Sequence, residues 1–178
     1  MNELATRESL VRSLPAGGFV AEVGVLRGAF SAVLLAGNLP QVLYLIDPWQ
    51  NFPGTQWQNQ DPCAQDDHED NYRHVLATFG GRADVRILRS CSLHAAALFA
   101  AGSLDLVYLD ADHFQAAADI AAWWPAVKPG GWLSGHDYCT TYCIKVKEAV
   151  DQFVARQGLE LLTTAEKWFP SWLVRKPE

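Results

Sequence analysis

Short apolar runs alternate with stretches of helical length along the whole chain of 178 residues. Phe19–Val23, Val42–Ile46, Val85–Leu88, Leu104–Leu109 and Trp132–Leu133 with its flanks have the pattern of strands buried on both faces. Between them, Ala29–Gly37, Asp70–Phe79, Leu93–Ala100 and Gln115–Val127 are helical in length and composition. This alternation predicts a parallel sheet with helices on both faces and right-handed crossovers. Ligands are then expected beyond the carboxyl ends of the strands. Ahead of the first strand, Met1 to Leu14 mixes Glu3, Arg7, Glu8 and Arg12 with apolar residues, as an amphipathic helix does.

Two stretches depart from the alternation. Trp49 to Asp67 has no periodicity and carries Trp49, Phe52 and Trp57, which suggests a loop closing over a substrate rather than a plain linker. Toward the C-terminus, Val146, Ala149, Val150, Phe153 and Val154 share one helical face, and Gly158 follows as a cap. The runs Leu159–Thr164 and Trp168–Arg175 then follow without room for a helix between them. They predict a hairpin that puts an antiparallel strand on an otherwise parallel sheet. The fold class expected is α/β and doubly wound, with a mostly parallel seven-stranded sheet, in one domain spanning 1–178.

Composition narrows the function classes. Apolar residues make up 49% and charged residues 19%, an ordinary globular mixture. No apolar run reaches the roughly 18 residues of a membrane span. With a net charge of −6 and no basic stripe, nucleic acid is a poor partner. An acidic chain suits a neutral or cationic ligand, although solubility alone accounts for the charge equally well. Cys63, Cys91, Cys139 and Cys143 lack zinc-ribbon spacing and read as free thiols of a reducing cytoplasm.

The candidate chemistry lies at the predicted strand ends. In Glu22-Val-Gly24-Val-Leu-Arg-Gly28 a strand turns into a helix, with glycines where the chain must bend and approach a ligand. A dinucleotide fold prefers Gly-x-Gly-x-x-Gly here. Glu22 would repel a pyrophosphate and attract a sulfonium or ammonium; the competing reading is an incidental Glu at a turn. Asp47 ends the second strand and is placed to accept ribose hydroxyls, against a simple Asp-Pro turn. Asp110 and Asp137 end strands expected to be neighbours, and two adjacent carboxylates need a shared proton or cation. A hard divalent metal is one resolution, with His136 either a ligand or a structural histidine. His113 is suited to accept a proton, or else only opens a helix. His68, His74 and His94 have no partner in sequence and read as solvated.

These residues resemble a known family. Glu-Val-Gly-Val-x-x-Gly-x-Phe-Ser, Ile-Asp-Pro-Trp, Leu-Asp-Leu-Val-Tyr-Leu-Asp-Ala-Asp-His, Asp119-Ile-x-x-Trp-Trp-Pro, Lys-Pro-Gly-Gly, Gly-His-Asp-Tyr, Val146-Lys-Glu-Ala-Val-Asp-Gln-Phe and Pro170-Ser-Trp-Leu-Val occur in this order over almost the whole chain. The chain is similar to class I methyltransferases of the small bacterial group called methyltransferase family 24, whose relatives include metal-dependent O-methyltransferases of macrolide sugars. The resemblance implies that Glu22, Gly24, Gly28 and Ser31 hold the methionine end of S-adenosylmethionine and Asp47 its ribose. Cys91 and Ser92 fall beside the adenine, where relatives often have Asp-Ser. Asp110 and Asp137 match metal-binding acids, and His113 matches the proposed base, with Asp110 counted beside it in the catalytic and cofactor sites. Catechol-type relatives have Asp-Asn where this chain has Asp137-Tyr138, which leaves His136 as the substitute third ligand.

The expected activity is methyl transfer to a hydroxyl of a small molecule, a sugar or natural-product-like acceptor, assisted by Mg²⁺ or Mn²⁺ in a cytoplasmic enzyme. A homodimer is an admissible assembly. The competing classes are an NAD-type oxidoreductase and an inactive S-adenosylmethionine-binding domain. Glu22 and the glycine spacing count against the first; Asp110, His113 and Asp137 together count against the second.

Overall fold

The computed structural model describes residues 4–52 and 65–178. Its elements in chain order are α1 (Arg7–Ser13), β1 (Phe19–Val23), α2 (Ala29–Gly37), β2 (Val42–Asp47), α3 (Gln65–Phe79), β3 (Val85–Arg89) and α4 (Ser92–Ala96). They continue with β4 (Leu104–Leu109), α5 (Ala116–Trp123), β5 (Val127–Gly135), α6 (Ile144–Gln157), β6 (Leu161–Thr163) and β7 (Trp172–Arg175). The strands form one seven-stranded sheet in the order β3-β2-β1-β4-β5-β7-β6. β1 to β5 are parallel, and β7 enters antiparallel between β5 and β6, as the hairpin pattern predicts.

Period-two alternation sorts the strand side chains onto two faces. Val20, Leu43, Leu45, Leu106 and Tyr108 pack with Leu10 and Val11 of α1, Phe30 and Leu34 of α2, and Val75 and Phe79 of α3. Ala21, Val23, Ile46, Val107 and Leu133 pack on the other face with Ile120 and Trp123 of α5 and Val146, Val150 and Phe153 of α6. Both faces are thus closed to water. The strand order reverses between β1 and β4, so their carboxyl ends open a crevice at the switch point.

Several boundaries differ from the sequence pattern. The helix expected over Gln115–Val127 is a 3₁₀ turn at His113–Gln115, then α5, then a second 3₁₀ turn at Trp124–Ala126. Pro125 has no N–H for an α-helical bond, and Val127 already belongs to β5. The helix expected over Leu93–Ala100 ends at Ala96. The N-terminal helix starts at Arg7, behind a reciprocal cap in which Thr6 and Ser9 each bond the other's backbone N–H. No helix among the described residues is long and apolar enough to cross a membrane.

Candidate active site

The site begins at the turn after β1. Gly24 sits at φ +90°, and a Cβ there would lie 1.9 Å from the carbonyl oxygen of Asp110, so only glycine lets the ends of β1 and β4 approach this closely. Asp47 then fixes the turn: its Oδ2 accepts from the N–H groups of Val25 and Leu26, both at 2.9 Å. Its Oδ1 accepts from the Trp49 N–H at 2.7 Å. The Trp49 indole donates to the Leu26 carbonyl at 2.8 Å and is fully buried. Trp49 is therefore a staple of the turn, not part of a lid. Phe52 lines the cleft, and Trp57 lies outside the described residues.

A cleft of about 740 Å³ opens beyond the strand ends, the size of a site for a drug-sized ligand. Glu22, Gly24, Asp47, Cys91, Ser92, Asp110 and His113 line it together, although they come from four strand ends. Gly28 and Ser31 do not line it. Gly28 is the cap residue of α2 at φ +78°. Ser31 is fully buried and donates to Glu22 Oε2 at 2.5 Å, so it acts through that carboxyl. Burial pushes the Glu22 carboxyl up to about 8, against the Ser31 bond, with help from Asp110 and Asp47. Glu22 is thus neutral near pH 7 until a cation reaches it.

The second centre lies where β4 and β5 end. Their register pairs Leu109 with Gly135, which sets the following residues of both strands side by side. His136 Nδ1 lies 3.0 Å from Asp137 Oδ1 and 3.8 Å from Asp110 Oδ1, and His113 Nε2 lies 2.8 Å from Asp137 Oδ2. Burial pushes Asp110 up to about 6, opposed by His136 and reinforced by Asp137. Burial would also raise Asp137, but hydrogen bonds from His113 and His136 overcome it and hold this carboxyl far below its ordinary value. The His113 imidazole is raised by its bond to Asp137, against burial. For His136 burial acts downward, and Asp137 and Asp110 outweigh it to raise the imidazole. Two imidazoles therefore balance the carboxylate pair, a resolution the sequence did not disclose.

One ligand atom from each of Asp110, His136 and Asp137 falls within 4.8 Å of the others, as does one from each of His113, Asp137 and Cys143. The first set, two carboxylates and an imidazole, fits a hard or borderline divalent ion. Tyr138 does not contribute: its hydroxyl donates to Asp151 of α6 at 2.6 Å. A small cavity of about 20 Å³ beside Asp110, His113, His136 and Asp137 has room for a single water-sized group.

Other residues come to the site without a role assigned from the sequence. Arg7 of α1, outside every motif, and Asp119 of α5, which opens one of the family segments, line the cleft. Asp119 is buried, accepts from Ser92 Oγ at 2.6 Å and is pushed up to about 6 by burial, against that bond. His68 is buried on the cleft wall rather than solvated; His94 also lines the cleft but is exposed, as is His74 away from it. Cys91, Cys139 and Cys143 are free thiols, and the Cys143 N–H donates to Cys139 Sγ at 3.3 Å.

Residues 21–138 match a family described as a methyltransferase domain. No curated protein is a significant sequence match. Among solved structures, a Corynebacterium glutamicum protein superimposes with a TM-score of 0.66 at 18% identity, covering 97% of this chain and 81% of its own. An O-methyltransferase family protein from Burkholderia thailandensis gives 0.67 at 16% identity, covering 97% of this chain and 55% of its own. A cofactor-bound structure of Rv0187 from MTB gives 0.66 at 19% identity, covering 90% and 73%. At such identities these likenesses establish the fold.

Proposed function

Because this chain belongs to the methyltransferase domain family and is an S-adenosylmethionine-dependent methyltransferase, we propose that it methylates a hydroxyl of a small polar acceptor with help from a divalent metal. The observation that carries this reading is that one cleft is lined by Glu22, Asp47, Asp110 and His113 together, with the His113 imidazole bonded to Asp137. A sugar or natural-product-like acceptor, the kind that the sequence resemblance implies, agrees with a cleft whose reactive end is polar.

When bound, S-adenosylmethionine supplies an electrophilic methyl on a sulfonium, and a divalent ion held by Asp110, His136 and Asp137 supplies acidity to the acceptor hydroxyl. Glu22 ionises as the cationic end arrives and holds it at the turn after β1. Asp47 keeps acceptor capacity for ribose chiefly on Oδ1, since Oδ2 already takes two backbone N–H groups. Cys91 and Ser92 flank the adenine end. In the tautomer that donates Nε2–H to Asp137, His113 receives the acceptor's proton at Nδ1. Asp137 then stabilises the resulting imidazolium. The acceptor oxygen and the methyl carbon must meet in line, and much of the rate comes from holding them so.

Calorimetry with S-adenosylmethionine and NAD separates this reading from an oxidoreductase, and methyl transfer to a panel of sugars and phenols separates it from an inactive binding domain. Binding of NAD alone would overturn it. Asp47→Ala is expected to weaken S-adenosylhomocysteine binding about tenfold or more, from the loss of hydrogen bonds to a charged group, while unfolding remains cooperative. Unchanged affinity would remove Asp47 from the site. For the metal, exhaustive chelation is expected to suppress turnover and Mg²⁺ or Mn²⁺ to restore it, with cofactor affinity nearly constant. Full activity at verified negligible metal content would sink that part of the proposal.

A further inference from the structure

We infer that Arg7 is the carboxylate-binding end of the cleft and that it clamps the amino-acid carboxylate of bound S-adenosylmethionine. The inference rests on the cofactor reading above and adds a residue from outside every motif and outside the matched segment, which begins at residue 21.

Packing places Arg7 there. Leu10 and Val11 of α1 are fully buried against α2. At the far end of α2, a Cβ on Gly37 would lie 2.9 Å from Val11 Cγ1, so the two helices approach closely. At the near end, the Arg7 guanidinium lies 4.8 Å from the centroid of the Phe30 ring. The helices therefore run side by side in the same direction, and α1 delivers its first residue to the mouth of the crevice, where Arg7 and Phe30 both line the cleft. The capping bonds of Thr6 and Ser9 hold this first turn, so the side chain is presented by a fixed element.

The guanidinium has donor capacity left over. Its carboxylate contacts are 3.9 Å to Glu8 and 4.0 Å to Asp110, both beyond hydrogen-bond length, the Tyr108 hydroxyl engages one of its five N–H donors, and its side chain is 28% exposed. Arg27, the other arginine on the cleft wall, is engaged with Asn71. The cofactor's amino-acid end carries an ammonium and a carboxylate on one carbon. Glu22 and Asp110 suit the ammonium and repel the carboxylate. A planar fork of N–H donors beside them matches the carboxylate in both charge and shape.

The test compares two ligands that share the nucleoside and thioether. S-Adenosylhomocysteine carries the amino-acid group, and 5′-methylthioadenosine lacks it. Arg7→Met is expected to weaken S-adenosylhomocysteine about tenfold or more by calorimetry, and 5′-methylthioadenosine less than about twofold. Arg7→Lys, which keeps the charge without the fork, is expected to fall between wild type and Arg7→Met for the first ligand only. Equal losses for both ligands would show that Arg7 merely shapes the cleft, and no loss for either would also overturn the inference. Wild-type protein that binds neither ligand would instead defeat the cofactor reading itself, and this inference with it.

Discussion

Gly24→Ala is expected to destabilise the fold by about 2–5 kcal/mol, the sum of a left-handed backbone conformation and an overlap in a packed interior. The conformational part follows from φ +90°. The overlap follows from the 1.9 Å between a Cβ and the Asp110 carbonyl oxygen, which closes only if β1 and β4 part at their carboxyl ends. Gly17 separates the two contributions: it sits at φ +88° with nothing within 4 Å of a Cβ, so Gly17→Ala carries the conformational part alone, about 1–2 kcal/mol. Urea unfolding of both variants measures the difference, read as a lower midpoint at constant slope. A loss for Gly24→Ala no larger than for Gly17→Ala would show that the tight approach of the two strand ends has no energetic weight. Because that approach also shapes the cleft floor, cofactor affinity should fall in Gly24→Ala and hold in Gly17→Ala.

The comparison of these two glycines also indicates what a sequence can disclose. Gly24 stood out because a strand, a bend and a helix meet there, and the structure gives that bend a reason in the Asp110 carbonyl. The strands were legible because burial on both faces leaves near-continuous apolar runs. The C-terminal hairpin was legible because 159–175 has no room for a crossover helix. Pro125 was the visible but unweighed signal that breaks the helix after Trp123. Neighbouring strand ends for Asp110 and Asp137 followed from the runs alone.

Their charge balance did not, because His113 and His136 reach Asp137 through side-chain geometry set by the β4–β5 register. Trp49 illustrates the same limit from the other side. An aromatic in a polar, aperiodic stretch reads as a lid, yet its indole finds a backbone carbonyl and its ring finds Tyr72 at 4.9 Å. Arg7 and His68 were missed for a single reason: each reaches the cleft only because a helix packs across it, and no local spacing records that. Site residues contributed by the strand ends were legible, then, and those contributed by covering helices were not.

His113→Ala is expected to slow the chemical step about 10²–10⁴-fold, the range for a positioned proton acceptor, while S-adenosylmethionine affinity changes little. The base must be neutral to accept a proton, so the single-turnover rate should rise with pH through the His113 pKa. That pKa lies above the ordinary 6.5, because the hydrogen bond to Asp137 outweighs burial and Asp110 and Asp112 add to it. In metal-free protein the imidazole is therefore expected to titrate above 6.5, a divalent ion at Asp137 would draw it down, and the rise of rate with pH should be absent from the variant. Stability gives an independent sign. A raised imidazole stabilises the fold below its unfolded pKa, and that contribution is lost as pH rises through the folded value. The depressed Asp137 contributes above its unfolded pKa, and its share is lost as pH falls through the folded value. The pair should thus stabilise most between about pH 4 and 6.5, and His113→Ala should lose most stability in that window. The competing role is that of an outer partner that merely orients Asp137 toward a metal. In that case the variant would need more metal, and its chemical step would recover once metal is saturating. The decisive measurement is single-turnover methyl transfer at saturating cofactor, acceptor and Mg²⁺, wild type against His113→Ala. A variant within about threefold of wild type, far below the range for a general base, would exclude proton transfer to His113.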